Sequence, residues 1–410
     1  MNSDKMLTPE QAQQIVLDHI RPLGVERVAL MDALERILAA DVRARRDNPP
    51  CDNSAMDGYA VRHQDIAAAT AAQPAVLEMI EEIPAGRVGQ KTVGPRQTSR
   101  IMTGAPVPQG ADTVIPVEDT RAQDNRIEIL EADEREANVR HRGEDIQAGA
   151  VVLSAGTLCG TGELGILAAL QCGFVPVQRR PTLAILSTGD ELVEIDEPLE
   201  PGKIVNSNTY ALAALARAHG AVPVMLPIAR DSEEDIRRAV EGALQADFVL
   251  SSGGVSVGEY DYIRKVLDDM GGQFKFWRVA MKPGKPLFFC LIQDKPYFGL
   301  PGNPVSSMMS FLQFVRPAIR KATAFPADDL LLPTTRGVVE NSIYNDGNRR
   351  NYLRARLRLA DGRLHASTRA GQGSHMLTSM LGANGIVVLE PEQKVEPGDE
   401  VNLQIIERVF

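Results

Sequence analysis

Three apolar segments of the chain run directly into glycine-bearing loops: STGDE comes just after Ile185-Leu186, SSGGVSVGEYD after Leu250 and LPGNPVSS after Phe298-Gly299. Glycines let backbone amides approach a ligand closely, and a helix beginning at Pro304 would add its own free N–H groups. Such loops suit a phosphate or another oxyanion. The segment KPGKP adds Lys282 and Lys285, with Arg278 just before it, and three cations complement a tetrahedral oxyanion. Taken alone, that run also fits a solvated face. Carboxylates punctuate the same loops: Asp190 and Glu191 in TGDEL, Asp231 after a strand, and Glu259 and Asp261 in VGEYD. Carboxylates beside an anion site suit Mg²⁺, which bridges phosphate oxygens while keeping several waters. Asp231 has an equal reading as a helix N-cap. Asp57 and Asp145, in other loops, have one as Asx-turn formers.

For these loops to converge they must lie along one edge of one sheet. Between about Thr182 and Phe325 the segments TLAILS, VPVMLPIA, DFVLSS, QFKFWRVA, PLFFCLI and YFGL read as strands. Helical segments lie among them: NTYALAALARAHG, DSEEDIRRAVEGAL, DYIRKVLDDMG and PVSSMMSFLQFV. This alternation predicts a mainly parallel sheet covered on both faces, with its ligand crevice beyond the carboxyl ends of the strands. Asn208 is the expected N-cap of the first helix, with Gly220 closing it. Asp231 and Glu234 form an Asp-x-x-Glu capping box for the second.

The flanking regions differ in rhythm. Thr8 and Pro9 open an amphipathic helix, and a second helical stretch is expected from Met31 to Ala39. The Pro- and Asn-rich run RARRDNPPCDNSAMDGYAV places a boundary near Asp47, and short strands from Tyr59 to about Asn138 predict a small β-rich unit. Gly160, Gly162 and Gly165 spell GxGxxG, but turn-like SAGTLC precedes them where a dinucleotide fingerprint needs a buried strand. A closely packed helix start is therefore the reading preferred here. From residue 326 the pattern has period two, as in YLRARLRLA. Arg354, Arg356 and Arg358 fall on one strand face, and Leu353, Ala355, Leu357 and Leu359 on the other. The arginine trio reads as a solvated face, and Arg350 in NDGNRRNY as the better ligand contact.

Composition bounds these readings. A chain of 410 residues, 44% hydrophobic and 24% charged, has room for two or three folded units at roughly 150 residues each. A formal net charge of −10 argues against a large nucleic-acid surface. Cys51, Cys159, Cys172 and Cys290 form no CxxC pair, so reduced thiols in a cytoplasm are expected. Neither a signal peptide nor a membrane span is signalled. There is no GxxxxGK[ST] or HExxH, and the six histidines are scattered.

Taken in order, NSAMDGYAV (from Asn53), RIMTGAPVP (from Arg100), RGEDI (from Arg142), STGDEL, SSGGVSVGEYDY, KPGKP and LPGNPVSS make the whole chain resemble the molybdopterin molybdenumtransferase family, MoeA in bacteria and the gephyrin E domain in animals. The resemblance implies a multidomain α/β fold. Its parts are a connecting domain (1–47 and 143–180), a β-rich domain (48–142), a parallel-sheet α/β domain of molybdopterin-binding type (181–325) and a small C-terminal β-barrel (326–410). It implies insertion of molybdate into adenylylated molybdopterin with Mg²⁺-assisted release of AMP, by a homodimer supplied by a separate adenylyltransferase. Asp57, Thr103 and Asp145 would enter the site from the second subunit, and Glu191, Asp231 and Asp261 would hold the metal. Lys282, Lys285, Pro301, Gly302, Asn303, Pro304 and Ser306, with Gly253, Gly254 and Ser256, would surround the substrate phosphate and oxyanion. Arg350 and Ser374 are added for molybdate, and Arg278 stands where many relatives carry lysine. Two alternatives stay open: adenylylation of molybdopterin by ATP, since the α/β domain also resembles that enzyme family, and a non-catalytic scaffold.

Overall fold

In the computed structural model, residues 6–254, 262–368 and 371–406 are described. They form two compact units, one from residues 1–39, 156–164 and 174–410, the other from 40–155 and 165–173. The first helix, α1 (Pro9–Asp18), opens on a complete capping box between Thr8 and Gln11, with Pro9 in its first turn. The helix expected from Met31 to Ala39 is instead a single 3₁₀ turn, Leu30–Ala33. Glu35 takes φ +59°, a left-handed backbone that cannot continue a right-handed helix.

The second unit contains a six-stranded sheet: β1 (Gly58–Val61), β2 (Ala75–Ile83), β3 (Gln97–Ile101), β4 (Thr113–Pro116), β5 (Thr120–Gln123) and β6 (Arg126–Ile129). They join in the order β4-β1-β3-β2-β6-β5, with β2 and β3 parallel and the other pairs antiparallel. Two apolar clusters, one around Tyr59, Leu77 and Ile127 and one around Ala60, Ile101 and Val114, hold it together. The GxGxxG segment does start a helix, α2 (Thr161–Ala169), and the Gly160 amide donates to the Glu163 carboxylate at 2.9 Å, but the expected close packing is absent: a Cβ on Gly162 or Gly165 would meet nothing within 4 Å among the described residues.

The α/β part follows as β7 (Thr182–Ser187), α3 (Ser207–Ala218), β8 (Val222–Met225), α4 (Glu233–Ala243), β9 (Phe248–Ser252), α5 (Tyr262–Asp269), β10 (Gln273–Arg278), β11 (Pro286–Ile292), β12 (Lys295–Leu300), α6 (Pro304–Ser310) and α7 (Arg316–Ala322). The sheet order is β8-β7-β9-β12-β11-β10: the first three pairings are parallel and the last two antiparallel. Strand periodicity divides its apolar residues between two cores. Leu183, Ile185, Leu250 and Phe298 join one cluster; Ala184, Leu186, Val249 and Tyr297 join the other. Burial on both faces is why these strands read as continuous apolar runs. Fully burying each large side chain contributes about 1.5–3 kcal/mol.

Two caps differ from expectation. Asn206 rather than Asn208 caps α3, accepting from the Thr209 amide, and Ser232 rather than Asp231 caps α4, accepting from Asp235. In each case the residue one or two positions away had the right chemistry, and only the chain's approach decides which reaches the orphan amides.

The C-terminal segment supplies β13 (Thr334–Val339), β14 (Arg350–Ala360), β15 (Arg363–Thr368), β16 (Gly385–Leu389) and β17 (Glu400–Ile405). The order β14-β15-β13-β17-β16 closes through a β14–β16 pairing into a five-stranded barrel. Arg356 and Arg358 are solvated as expected, but Arg354 is only 2% exposed and bonds the Ser379 hydroxyl and the Gly373 carbonyl. Leu359, expected inside, is exposed near the strand end.

Candidate functional site

The parallel strands β7, β9 and β12 all end at one edge, and their loops are laced together there. The Thr188 amide donates to Ser252 O at 3.4 Å, and the Gly253 amide to Leu300 O at 3.1 Å. Asn208, displaced from capping, donates to both Ser252 Oγ (2.8 Å) and Gly302 O (2.7 Å), tying the second and third loops to the start of α3. Gly253 (φ +97°) and Gly254 (φ +62°) adopt left-handed backbone, and a Cβ on Gly253 would sit 2.9 Å from the Thr188 carbonyl. Only glycine permits that approach. Ser256 and Asp261, and Glu259 with them, lie outside the described residues.

In the third loop, Ser307 Oγ donates to the Pro301 carbonyl, fixing the turn that carries Gly302 and Asn303 into Pro304. Ser306 is buried at the first turn of α6. The Val305 amide donates to Ser374 O at 3.1 Å, so the Ser374 loop does meet LPGNP, through its backbone.

KPGKP reaches the same edge by a different route. Strand β11 runs antiparallel to β12, with Phe288 opposite Gly299, so the residues leading into Pro286 lie beside the carboxyl end of β12. Pro283 and Gly284 are buried, the Lys282–Pro283 peptide is cis, and Lys282 and Lys285 are exposed. Neither lysine, nor Arg278 at the end of β10, has an ion-pair partner among the described residues. Arg350 is different. Its backbone follows this loop, pairing with Met281, but its guanidinium contacts Glu10 and lies 2.8 Å from Glu390. Two carboxylates thus balance the charge expected to meet an anion.

The acidic residues gather in the first loop and the segment after β8. The amides of Asp190 and Asp231 each donate to the other's carboxylate, at 3.4 and 3.3 Å. The Glu191 carboxylate folds back over Gly189, where a Cβ would lie 2.5 Å from its oxygen. Partial desolvation, with the Asp190 and Glu191 charges adding to it, raises Asp231 above the usual aspartate value. Neighbouring carboxylates repel one another, and a hard cation is one means by which such repulsion would be relieved. No group of three such ligands is assembled among the described residues. Two carboxylates fit an ion such as Mg²⁺, which keeps most of its waters.

The second unit holds the remaining candidates. Asp57 accepts from both the amide (2.7 Å) and the hydroxyl (2.6 Å) of Thr103, and these bonds pull its carboxyl below the usual value. Asp145 accepts from Asn48 Nδ2 at 2.8 Å. Asp57 with Thr103 is therefore one fixed pair, and Asp145 belongs to a neighbouring turn in which Asp47 also holds Arg142 at 2.5 Å. Sequence reasoning missed Asn208 and Thr188 as the residues that lace the loops. The only signal was the run NSNT, which offers two asparagines for one cap.

Three family models match the chain: the MoeA N-terminal region (domains I and II) over residues 7–171, a probable molybdopterin binding domain over 184–321, and the MoeA C-terminal region (domain IV) over 336–406. The chain is similar to a protein named molybdopterin molybdenumtransferase from Nostoc, 43% identical over 89% of this chain and 84% of that one. It is similar also to molybdopterin molybdenumtransferase 2 from Mycobacterium tuberculosis, 36% identical over 98% of this chain and 99% of that one. The crystal structure of the molybdopterin biosynthesis MoeA protein from Pyrococcus horikoshii superposes with a TM-score of 0.82 at 29% identity, covering 98% of this chain and all of that one.

Proposed function

The chain belongs to the molybdopterin molybdenumtransferase (MoeA) family, and we propose that it inserts molybdate into adenylylated molybdopterin with release of AMP. The observation that carries this reading is the set of cations Lys282, Lys285 and Arg278, without an ion-pair partner among the described residues, beside glycine loops at the carboxyl edge of a largely parallel sheet. A dianionic oxyanion and a phosphoanhydride both need cations and oriented amides, and ligands of open α/β sheets bind at this edge. The lysines would neutralise the molybdate and hold the substrate's phosphates. They would also balance the charge that grows on AMP as the phosphoanhydride bond breaks. Glu191 and Asp231 would hold Mg²⁺, which when bound adds charge neutralisation at those phosphates.

The dithiolene sulfurs of the pterin are the ligands that molybdenum receives, so no protein thiol need take part. The cysteines agree: Cys159 and Cys290 are buried, and burial pushes the Cys290 thiol up to about 12, far from a reactive thiolate. We assign Asp57 and Thr103, with Asp145, to a site completed by a second copy of the chain, working in the cytoplasm and supplied by a separate adenylyltransferase. The test is an incubation of the chain with AMP-molybdopterin, Mg²⁺ and molybdate. AMP release in step with molybdenum incorporation supports the reading. Formation of AMP-molybdopterin from ATP and molybdopterin alone would instead identify the preceding adenylylation step.

A further inference from the structure

At the opposite, amino-terminal end of the α/β sheet lies a solvent-open cavity of about 230 Å³, lined entirely by the first unit. It opens where α3 ends, before β7 begins and where α7 ends, so the length of a strand separates it from the lysine-bearing edge. That is about 20 Å for a six-residue strand. Four arginines, Arg36, Arg180, Arg217 and Arg320, and one carboxylate, Glu35, line it together with His219. Arg36 is 7% exposed and already engaged, with Glu26 and with the Gln178 carbonyl at 2.7 Å. Arg180, Arg217 and Arg320 are not: no carboxylate lies within 4 Å of their guanidiniums and they donate no hydrogen bond among the described residues, although Glu26, Asp32 and Glu35 act on Arg180, and Asp329 on Arg320, from further off.

An ordinary use for cations here would be to cap the ends of α3 and α7. The backbone already does so. The carbonyls of Leu215, Ala216 and Arg217 accept from His219, Ala221 and Gly220, and those of Ile319 and Arg320 from Thr323 and Phe325. Arg320 stacks 3.8 Å from the Phe325 ring centroid with its Nε buried and without a partner. Burial pushes the Arg180 and Arg320 guanidiniums down, Arg180 further through the Arg36 charge. Burial also takes His219 down to about 4, leaving a neutral ring that can hydrogen-bond without adding charge. Arg180 and Arg320 are partly buried and Arg217 is exposed at the mouth, and like charges gathered without a close carboxylate are costly to hold together. The cavity is too small for a drug-sized ligand but holds a tetrahedral anion with several waters.

We propose that this cavity is a second anion site that takes a doubly charged tetrahedral oxyanion, held by Arg180, Arg217 and Arg320. The proposal stands apart from the reading of the lysine-bearing edge. Inorganic phosphate and molybdate share the required chemistry, and titration calorimetry of each into the full chain separates them. The same titrations are run on Arg217→Gln, Arg320→Gln and Lys282→Gln, with unchanged circular dichroism required of each. The expected result is phosphate binding that survives in Lys282→Gln and weakens about tenfold or more in at least one arginine variant. Molybdate is expected to follow the same pattern for one of its two binding events. Phosphate binding that is absent, or that is lost in Lys282→Gln and untouched in both arginine variants, would overturn the proposal without bearing on the lysine-edge reading.

Discussion

Asp231 and Ser232 are adjacent, both can accept hydrogen bonds, and they do different work. Ser232 caps α4, so Ser232→Ala should lower stability by about 1 kcal/mol in a denaturant titration. Asp231 makes no cap, and its raised pKa means that ionising it costs the folded state, a penalty that grows as pH rises through its folded value. Asp231→Asn should therefore be at least as stable as the parent at neutral pH while losing metal-dependent AMP release. That combination marks a residue kept for function at some expense of stability. The sequence reading held both roles for Asp231 at once, since local chemistry cannot say which of two neighbouring acceptors the backbone aims at the orphan amides. Arg350 shows the same limit. Its cationic type was plain, but Glu10, some 340 positions away in the chain, neutralises it, and no local pattern announces such a partner.

At the scale of elements, the inner strands β7, β9 and β11 were legible because both of their faces are covered and their apolar runs are nearly unbroken. The helix expected over Met31–Ala39 failed for a local reason, the left-handed turn at Glu35, which composition does not show. Arg354 and Leu359 both depart from the alternation expected of the barrel strand, Arg354 because Ser379 and Gly373 give it buried partners. Asp247 shows how elements are fastened. It receives two bonds from Arg179 at 2.8 Å each, and the amide and hydroxyl of Thr182, joining the start of β9 to the start of β7. The Arg179 guanidinium, with the Thr182 bonds, holds its carboxyl down at about 2. A depressed carboxylate pKa stabilises the fold above the unfolded value and stops doing so as pH falls through the folded one. Asp247→Asn should accordingly lower Tm near neutrality, and its deficit should shrink between about pH 4 and pH 2, as thermal melts across that range would record.

The candidates divide at the scale of the whole molecule. Lys282, Glu191 and Asp231 belong to one compact unit, and Asp57 with Thr103 to the other. If each site draws its lysines from one copy and Asp57 from a second, Asp57→Ala and Lys282→Ala chains should rescue one another. After full subunit exchange of equal amounts, half the dimers are mixed and each carries one intact site. About a quarter of parental activity should therefore return. Mixtures no more active than the separate variants would mean that Asp57 and Lys282 of different copies do not share a site.

On the proposed reading, lysines at the carboxyl edge of the sheet, without an ion-pair partner among the described residues, gather and neutralise the anionic substrates. The most direct test of that reading is the single-turnover rate of AMP release from AMP-molybdopterin, with Mg²⁺ and molybdate, for Lys282→Ala whose melting curve matches the parent's. A fall of about a hundredfold or more is the result expected for losing a preorganised cation at a site of developing charge. A folded Lys282→Ala chain that turns over at the parental rate would contradict it.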